Sequence, residues 1–199
     1  MLKRLAVALV FLASPAFAAP EIGAPAPAFE GRTSTGQTIA LKDFLGKKVV
    51  LEWTNDGCPF VRKHYETGNM QATQKAAKAD GAVWISVISS APGMQGYVTG
   101  EEANALTETR GAAPDDVVLD PSGEIGRAYA AKTTPHMFVI DEKGVLRYAG
   151  AIDDKPSADH ATVKDATNYV LAALDDLGAG RPVTTPETKS YGCSVKYAH

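Results

Sequence analysis

Two cysteines, Cys58 and Cys193, are the residues of this 199-residue chain whose type most directly permits covalent chemistry. Cys58 follows the turn residues 55–57 and precedes Pro59, which suits the first position of a helix because its missing N–H has no helical partner there. A cysteine at a helix N-terminus is favoured as the thiolate, the nucleophilic form, by unpaired N–H groups and by the helix dipole. We therefore interpret Cys58 as a reactive thiol.

The helix dipole alone is too weak to make Cys58 fully reactive. It contributes about 0.3–1 kcal/mol, which is less than one pKa unit, so the thiolate would stay a minority at neutral pH. Arg62 lies one helical turn after Cys58, and direct N–H hydrogen bonds from the turn would add to the stabilisation. We expect Arg62, these hydrogen bonds, or both, to lower the pKa of Cys58.

A second landmark is Pro135, which follows Thr134 and directly precedes an apolar strand. Proline cannot donate to a strand ladder, so it is tolerated only at a strand start, an edge or a bulge. We predict that the Thr134–Pro135 peptide bond is cis and that it brings the strand beginning at His136 against Cys58.

The elements that must position these residues alternate between strands and helices. The predicted strands span residues 49–53, 82–88, 117–119, 137–140 and 145–149, and the predicted helices span 70–79, 101–110, 124–131 and 163–177, besides the one that begins at Cys58 or Pro59. The last two strands form an antiparallel hairpin. This order predicts an α/β thioredoxin fold, a mixed sheet sandwiched by helices with its site at the C-terminal end of the first central strand.

The N-terminus has the pattern of a signal peptide over residues 1–18. Lys3 and Arg4 precede a short apolar run, and Ala16-Phe17-Ala18 supplies the small residues of a cleavage site. The apolar run is far shorter than the roughly 20 residues needed to span a bilayer. We expect cleavage after Ala18, a periplasmic or secreted protein, and no membrane anchor.

The remaining chain is interpreted as one domain, 19–180, and a C-terminal tail, 181–199, that carries Cys193. Pro182 and Pro186 predict an irregular arm with few buried contacts, mobile when the protein is reduced and pinned when it is oxidised. Without the signal peptide the net charge changes from −3 to −5, and the acidic residues are scattered. We expect no nucleic-acid partner.

Two segments closely resemble the peroxiredoxin-like (redoxin) branch of the alkyl hydroperoxide reductase and thiol-specific antioxidant (AhpC/TSA) superfamily. They are WTNDGCPFVRKHY at 53–65 and TPHMFVID at 134–141, and the tail at 188–197 fits the same branch. By this resemblance Cys58 matches the first cysteine of the thioredoxin C-x-x-C motif, and Pro135 the cis-proline that faces it. The resemblance implies a thiol oxidoreductase or thiol peroxidase whose partners are thiols, disulfides or peroxide; we expect no cofactor.

Two departures from the family pattern limit what the resemblance implies. Val61 stands where thioredoxins have their second cysteine, so a local disulfide cannot form. Peroxiredoxins polarise peroxide with a Pro-x-x-x-Thr/Ser-x-x-Cys run, whose matching positions here are Leu51 and Asn55, which argues against peroxidase activity. Cys193 is then the only internal residue that could resolve an intermediate on Cys58.

Three classes of function remain open. We favour an enzyme in which Cys58 attacks a disulfide or peroxide and Cys193 resolves the intermediate, with Cys58 the more reactive thiol. The second class is a structural Cys58–Cys193 disulfide, which by closing a 135-residue loop could contribute up to about 5 kcal/mol of stability. The third is a metal-binding module using Cys58, His64, His136 and Cys193. The reduction potential separates the first two classes.

Overall fold

The computed structural model describes residues 19–198, so the predicted signal peptide lies outside the described residues. The strands are β1 (Glu30–Thr33), β2 (Thr38–Ala40), β3 (Val49–Trp53), β4 (Val83–Ile88), β5 (Asp116–Leu119), β6 (Thr133–Thr134), β7 (His136–Ile140), β8 (Leu146–Gly150) and β9 (Cys193–Ser194). The α-helices are α1 (Pro59–Glu66), α2 (Asn69–Ala79), α3 (Gly100–Thr109), α4 (Glu124–Ala128) and α5 (Tyr169–Gly178), and two 3-10 helices span Leu41–Phe44 and His160–Asp165. None of the helices in this range is both long and apolar enough to cross a membrane.

Seven strands form one mixed sheet in the order β2-β1-β5-β4-β3-β7-β8. The central strands β3, β4 and β5 run parallel, whereas β7, β8, β1 and β2 are antiparallel to their neighbours. In the β3–β7 register Trp53 lies opposite His136. The end of β3, which leads to Cys58, therefore meets the start of β7, which follows Pro135.

Helices cover both faces of the sheet, which confirms the predicted thioredoxin architecture. On one face, α1, α2 and α5 bury Val61, Met70 and Leu174 against Val50 and Trp84. On the other face, the core includes the following residues of α4, the first 3-10 helix and the strands: Ile125, Leu41, Leu51, Trp53 and Phe138. Every residue of β4 is buried, as its unbroken apolar run predicts for a strand covered on both sides.

A buried carboxylate, Glu52, interrupts the apolar run of β3. Its oxygens accept hydrogen bonds from the Tyr65 hydroxyl at 2.9 and 3.1 Å, the Trp84 indole at 3.0 Å, Ser86 at 3.1 Å and Gln74 at 3.4 Å. A buried carboxyl group is tolerated where several donors replace the lost water. Trp84 thus lies in the core, as predicted, and its indole N–H is also satisfied.

The predicted helix over 163–177 is wrong in its first half. The structure has a 3-10 helix at His160–Asp165, and α5 begins only at Tyr169. Asn168 has extended backbone angles, and its side chain accepts a hydrogen bond from Leu171 N at 3.0 Å. Asparagine is a preferred N-cap, so it starts a new helix at this point although the apolar spacing continues through it. The helix predicted over 124–131 likewise ends early, at Ala128.

The C-terminal tail lies against the domain while both cysteines are free thiols, and the expectation that it is mobile in the reduced protein stays a prediction. Thr188 N donates to Ala149 O at 3.1 Å, and Val195 N donates to Lys132 O at 3.1 Å. The Tyr197 hydroxyl donates to Ala131 O at 2.8 Å. The tail prolines prevent long regular elements, but they leave the intervening N–H and C=O groups free to pair with the domain.

Candidate thiol active site

Cys58 is held by a short loop between β3 and α1. It is the N-cap of α1, with extended backbone angles of φ −87° and ψ 120°, and Pro59 is the first helical residue. The Asn55 side chain accepts from Gly57 N at 2.9 Å and donates to Gln95 O at 3.1 Å, and Cys58 N donates to Asn55 O at 3.1 Å. The side chain of Asn55 therefore fixes the turn that presents the sulfur.

The peptide bond before Pro135 also lies against the sulfur of Cys58. The Thr134–Pro135 bond is cis, as predicted. The Cys58 Sγ donates a hydrogen bond to the Thr134 carbonyl at 3.0 Å. The buried Thr134 hydroxyl has no hydrogen-bond partner within the described part of the chain. It can therefore donate to the Cys58 sulfur once that sulfur has lost its proton.

Cys193, from the C-terminal tail, lies on a further side of the site. Strand β9 pairs antiparallel with β6, and Thr134 lies opposite Cys193 in the register. Thr134 thus touches the sulfur of Cys58 and pairs with the backbone of Cys193. Cys58 has no exposed surface, and Cys193 is half-buried. The structure brings together the predicted site residues Cys58, Thr134, Pro135 and Cys193.

The two thiols differ in acidity. Burial raises the pKa of the Cys58 thiol, but the side chains of Cys193 and Thr134 and the backbone N–H groups of Cys193 and Val61 stabilise the thiolate, and the net shift is downward. Burial is the largest cause that raises the pKa of Cys193 to about 11. The hydrogen bond that Cys193 donates to Cys58 and the negative charge of Cys58 raise it further, and Lys196 has a smaller opposing effect. The geometry therefore makes Cys58 the more acidic of the two thiols and places Cys193 as a hydrogen-bond donor to it when it ionises.

Arg62 is not brought to the sulfur of Cys58. Its Nε lies 3.2 Å from the Glu66 carboxylate, and both side chains are about half exposed or more. Arg62 N donates to Cys58 O at 2.9 Å, so its backbone lies one turn after Cys58, but its side chain pairs with Glu66 and is not among the groups that shift the pKa of Cys58. The groups that lower the pKa of Cys58 come instead from the helix N-terminus, β6 and the tail.

We expect competitive alkylation of the reduced protein to label Cys58 ahead of Cys193 as the pH is raised. The fraction of Cys58 labelled in a fixed time should reach its midpoint below the ordinary thiol pKa, whereas labelling of Cys193 should still be increasing near pH 11. Mass spectrometry of the two cysteine peptides gives both profiles from one sample. Because Cys58 is fully buried, its absolute rate should also rise in mild denaturant; equal midpoints for the two thiols would contradict the acidity difference.

The histidines considered as metal ligands have other partners. His64 Nδ1 lies 2.7 Å from the Asn69 amide, and its Nε2 lies 3.3 Å from the Tyr191 hydroxyl. His136 Nδ1 accepts from Lys132 N at 3.3 Å. Among residues 19–198 no group of three or more His, Cys, Asp or Glu side chains is arranged to hold a metal ion.

One residue of the site is not identified by the sequence reasoning. Gly192 has φ +131°, and a Cβ added there would lie 2.0 Å from the Thr134 carbonyl oxygen. Only glycine allows the tail backbone to approach β6 this closely. A glycine directly before the tail cysteine is the available sequence signal, and it becomes informative only once the pairing with β6 is known.

A mixed sheet flanked by helices, a cysteine capping the first helix after the central strand, and a cis-proline beside its sulfur define a thioredoxin-fold protein with a candidate thiol site. The chain belongs to the AhpC/TSA family, whose model matches residues 22–149. No curated protein matches the chain at a significant level.

Solved structures share this fold. A hypothetical protein from Sinorhizobium meliloti is 22% identical with a TM-score of 0.76, and the match covers 91% of this chain and 97% of the other. A conserved protein from Geobacillus kaustophilus is 24% identical with a TM-score of 0.78, over 89% and 93% of the two chains. The thioredoxin domain of a thiol-disulfide oxidoreductase from Bacteroides vulgatus is 24% identical with a TM-score of 0.52, over 73% and 96%. At these identities the likeness shows the fold.

Proposed function

We propose that this protein is an exported thiol-disulfide oxidoreductase in which Cys58 attacks a disulfide and Cys193 resolves the intermediate. The observation that carries the proposal is the meeting of two free thiols across Thr134, one of which is placed to stabilise the thiolate of the other. A merely packed cysteine needs no such partner. The family membership supports the same chemistry.

The proposed reaction is two successive thiol-disulfide exchanges. The Cys58 thiolate attacks one sulfur of a partner disulfide, forms a mixed disulfide and expels the other partner sulfur as a thiolate, which takes a proton from solvent. Cys193 then loses its proton and attacks the sulfur of Cys58. This second step forms the Cys58–Cys193 bond and expels the remaining partner thiolate, which accepts a proton. The partner disulfide gains two electrons, and the protein dithiol loses them.

A disulfide suits the site better than a peroxide does. At Asn55, the position that matches the peroxide-polarising Thr or Ser of peroxiredoxins, both polar ends of the side chain are already bonded to the backbone of Gly57 and Gln95. The hydroxyl beside Cys58 belongs instead to Thr134, a residue of β6. We therefore assign disulfide exchange as the main activity, with a thiol protein or a small-molecule thiol as the redox partner.

Export and domain organisation are part of the proposal. Residues 1–18 are assigned to a cleaved signal peptide, 19–180 to the redoxin domain, and 181–199 to the tail that supplies the resolving cysteine. Disulfides persist in a periplasmic or secreted location. A cysteine outside the C-x-x-C position, such as Cys193, could therefore form a disulfide with Cys58 there. Mass spectrometry of the protein from the periplasm, with an N-terminus at Ala19, tests the assignment of export.

Equilibration with glutathione tests the proposed function. We expect a Cys58–Cys193 disulfide to form and to be reduced within the glutathione range, above about −300 mV, as for labile disulfides. Thiol counting with mass mapping at each ratio of reduced to oxidised glutathione measures the potential. A bond that resists reduction throughout this range would support the structural disulfide, and absence of any Cys58–Cys193 bond would overturn internal resolution.

A further inference from the structure

A buried polar cluster beside α1 is not used by the proposed thiol chemistry. It consists of Lys63, His64, Asp153 and Tyr191, and we call it the tyrosine anchor. Lys63 and His64 have no exposed surface, and Asp153 is 2% exposed. Lysine is almost never fully buried unless it is paired, and two adjacent buried ionisable residues on one short helix are costly. Such a cluster requires a compensating partner.

The Tyr191 hydroxyl is the group on which the cluster converges. It donates a hydrogen bond to Asp153 Oδ1, while Lys63 Nζ lies 3.4 Å and His64 Nε2 lies 3.3 Å from its oxygen. Because the Asn69 amide donates to Nδ1 of His64, the ring proton is on Nε2 and is donated to Tyr191. The hydroxyl therefore donates once and accepts twice, which is its full capacity.

The charges of the cluster agree with this arrangement. Burial and the neighbouring Lys63 lower the pKa of His64 to about 4 against the opposing effect of Asp153, so the ring is neutral at pH 7. Lys63 Nζ lies 3.7 Å from Asp153 Oδ2 and also donates to Lys155 O at 3.1 Å. Asp153 Oδ1 also accepts from Lys155 N at 3.0 Å, and within the described residues Asp153 Oδ2 has no hydrogen-bond partner, so Tyr191 supplies the side-chain hydrogen bond to the carboxylate of the cluster.

The anchor joins the two halves of the thiol site. Tyr191 is two residues before Cys193, and its ring packs edge-on against Phe60, two residues after Cys58, with centroids 5.9 Å apart. Lys63 Nζ lies 5.3 Å from the same ring. Helix α1, which Cys58 caps, thus contacts the tail immediately before Cys193. After Cys193 the tail has a second contact, in which the ring of Tyr197 packs on Arg127.

We propose that Tyr191 is a positioning residue that holds Cys193 against Cys58, so that the tyrosine anchor sets the rate of the resolving step. The inference rests on the proposed function. A tail docked before the mixed disulfide forms presents Cys193 at a high effective concentration, whereas an undocked tail must find Cys58 by diffusion. Undocking is unfavourable because it removes the Tyr191 hydroxyl from Asp153 Oδ1, Lys63 Nζ and His64 Nε2, and the buried Nε2 of His64 then has no hydrogen-bond partner among the described residues.

The test is Tyr191→Phe, which keeps the ring against Phe60 and removes only the hydroxyl. Reduced protein is mixed with glutathione disulfide, quenched with acid, and analysed by mass spectrometry for the mixed and internal disulfides. We expect attack by Cys58 to be as fast as in the parent or faster, and conversion to the internal disulfide to slow by about tenfold or more. The equilibrium ratio of internal to mixed disulfide should fall by the same factor.

The matched control is Tyr129→Phe, which removes another buried tyrosine hydrogen bond, to Pro27 O at 2.8 Å, whose acceptor lies outside the tail. It should resolve at the parent rate. Asp153→Asn weakens the acceptor of the Tyr191 hydroxyl and should slow resolution in the same direction, and it serves if Tyr191→Phe does not fold. Parent-rate resolution in the folded anchor variant, or equal slowing in Tyr129→Phe, overturns the inference. If the parent itself forms no internal disulfide, the proposed function fails instead.

Discussion

Replacement of Cys193 by serine is expected to stop turnover while leaving the first attack by Cys58 intact. Val61 occupies the position of a local partner, so Cys193 is the only other cysteine that can displace a bound thiol from Cys58. The Cys193→Ser protein should therefore accumulate as a one-to-one mixed disulfide with the substrate thiol. Mass spectrometry after reaction with a disulfide substrate measures the trapped species, and a reductase assay measures the loss of turnover.

Cys58→Ser is the matched control for this trap. It keeps Cys193 in the chain but removes the thiol whose conjugate base is stabilised by Thr134 and by the N-terminus of α1. Burial, the largest cause of the raised pKa of Cys193, remains in this variant although the contributions of Cys58 are lost, so it should form less mixed disulfide at neutral pH than Cys193→Ser does. Parent-level turnover by Cys193→Ser would replace internal resolution with a one-cysteine cycle that uses an external thiol.

The parts of the fold that were predicted from sequence depend on local patterns. The strand at 49–53 matches β3 at both ends, because a run that is apolar except for Glu52 is followed closely by the turn residues 55–57. The start of α1 follows from Pro59, and the cis peptide from a proline at the head of a strand. These features place Cys58 beside Thr134, since β3 and β7 are adjacent in the sheet.

The unpredicted parts depend on contacts between distant residues. The pairing of β6 with β9 joins Thr134 to Cys193 through two residues on each strand, too few to leave a pattern in the sequence. The same is true of β1 and β2, whose short strands contain Gly31 and polar residues. Lys63 would be assigned to a solvated helix face, because its buried partner Tyr191 is 128 residues away.

The role of Arg62 shows the limit of spacing arguments on a helix. A residue four positions after the N-cap Cys58 lies one turn along the helix, but spacing does not determine which neighbour its long side chain contacts. Arg62 instead pairs with Glu66 on the exposed face, an i,i+4 pair of the kind that stabilises helices weakly. Stabilisation of the thiolate comes from groups that converge only in the folded chain.

Gly192→Ala is expected to release the tail from the thiol site. The substitution places a methyl group 2.0 Å from the Thr134 carbonyl oxygen, and backbone atoms cannot rotate away as a flexible side chain could. The φ of +131° adds a conformational cost of about 1–3 kcal/mol for any residue with a side chain. Both effects are removed when β9 separates from β6, so undocking is the least costly response.

Loss of docking should have opposite effects on the two steps of the reaction. Cys58, which is fully buried beneath the docked tail, should be alkylated faster by a bulky reagent, while formation of the internal disulfide should slow by about tenfold or more. Amide hydrogen exchange over residues 190–198 reports the release directly. Gly180→Ala is the matched control: it carries a positive φ of +68°, but an added Cβ meets no atom within 4 Å. If the two alanine variants show the same protection of the tail and the same alkylation of Cys58, the close approach of Gly192 to Thr134 does not hold Cys193 in the site.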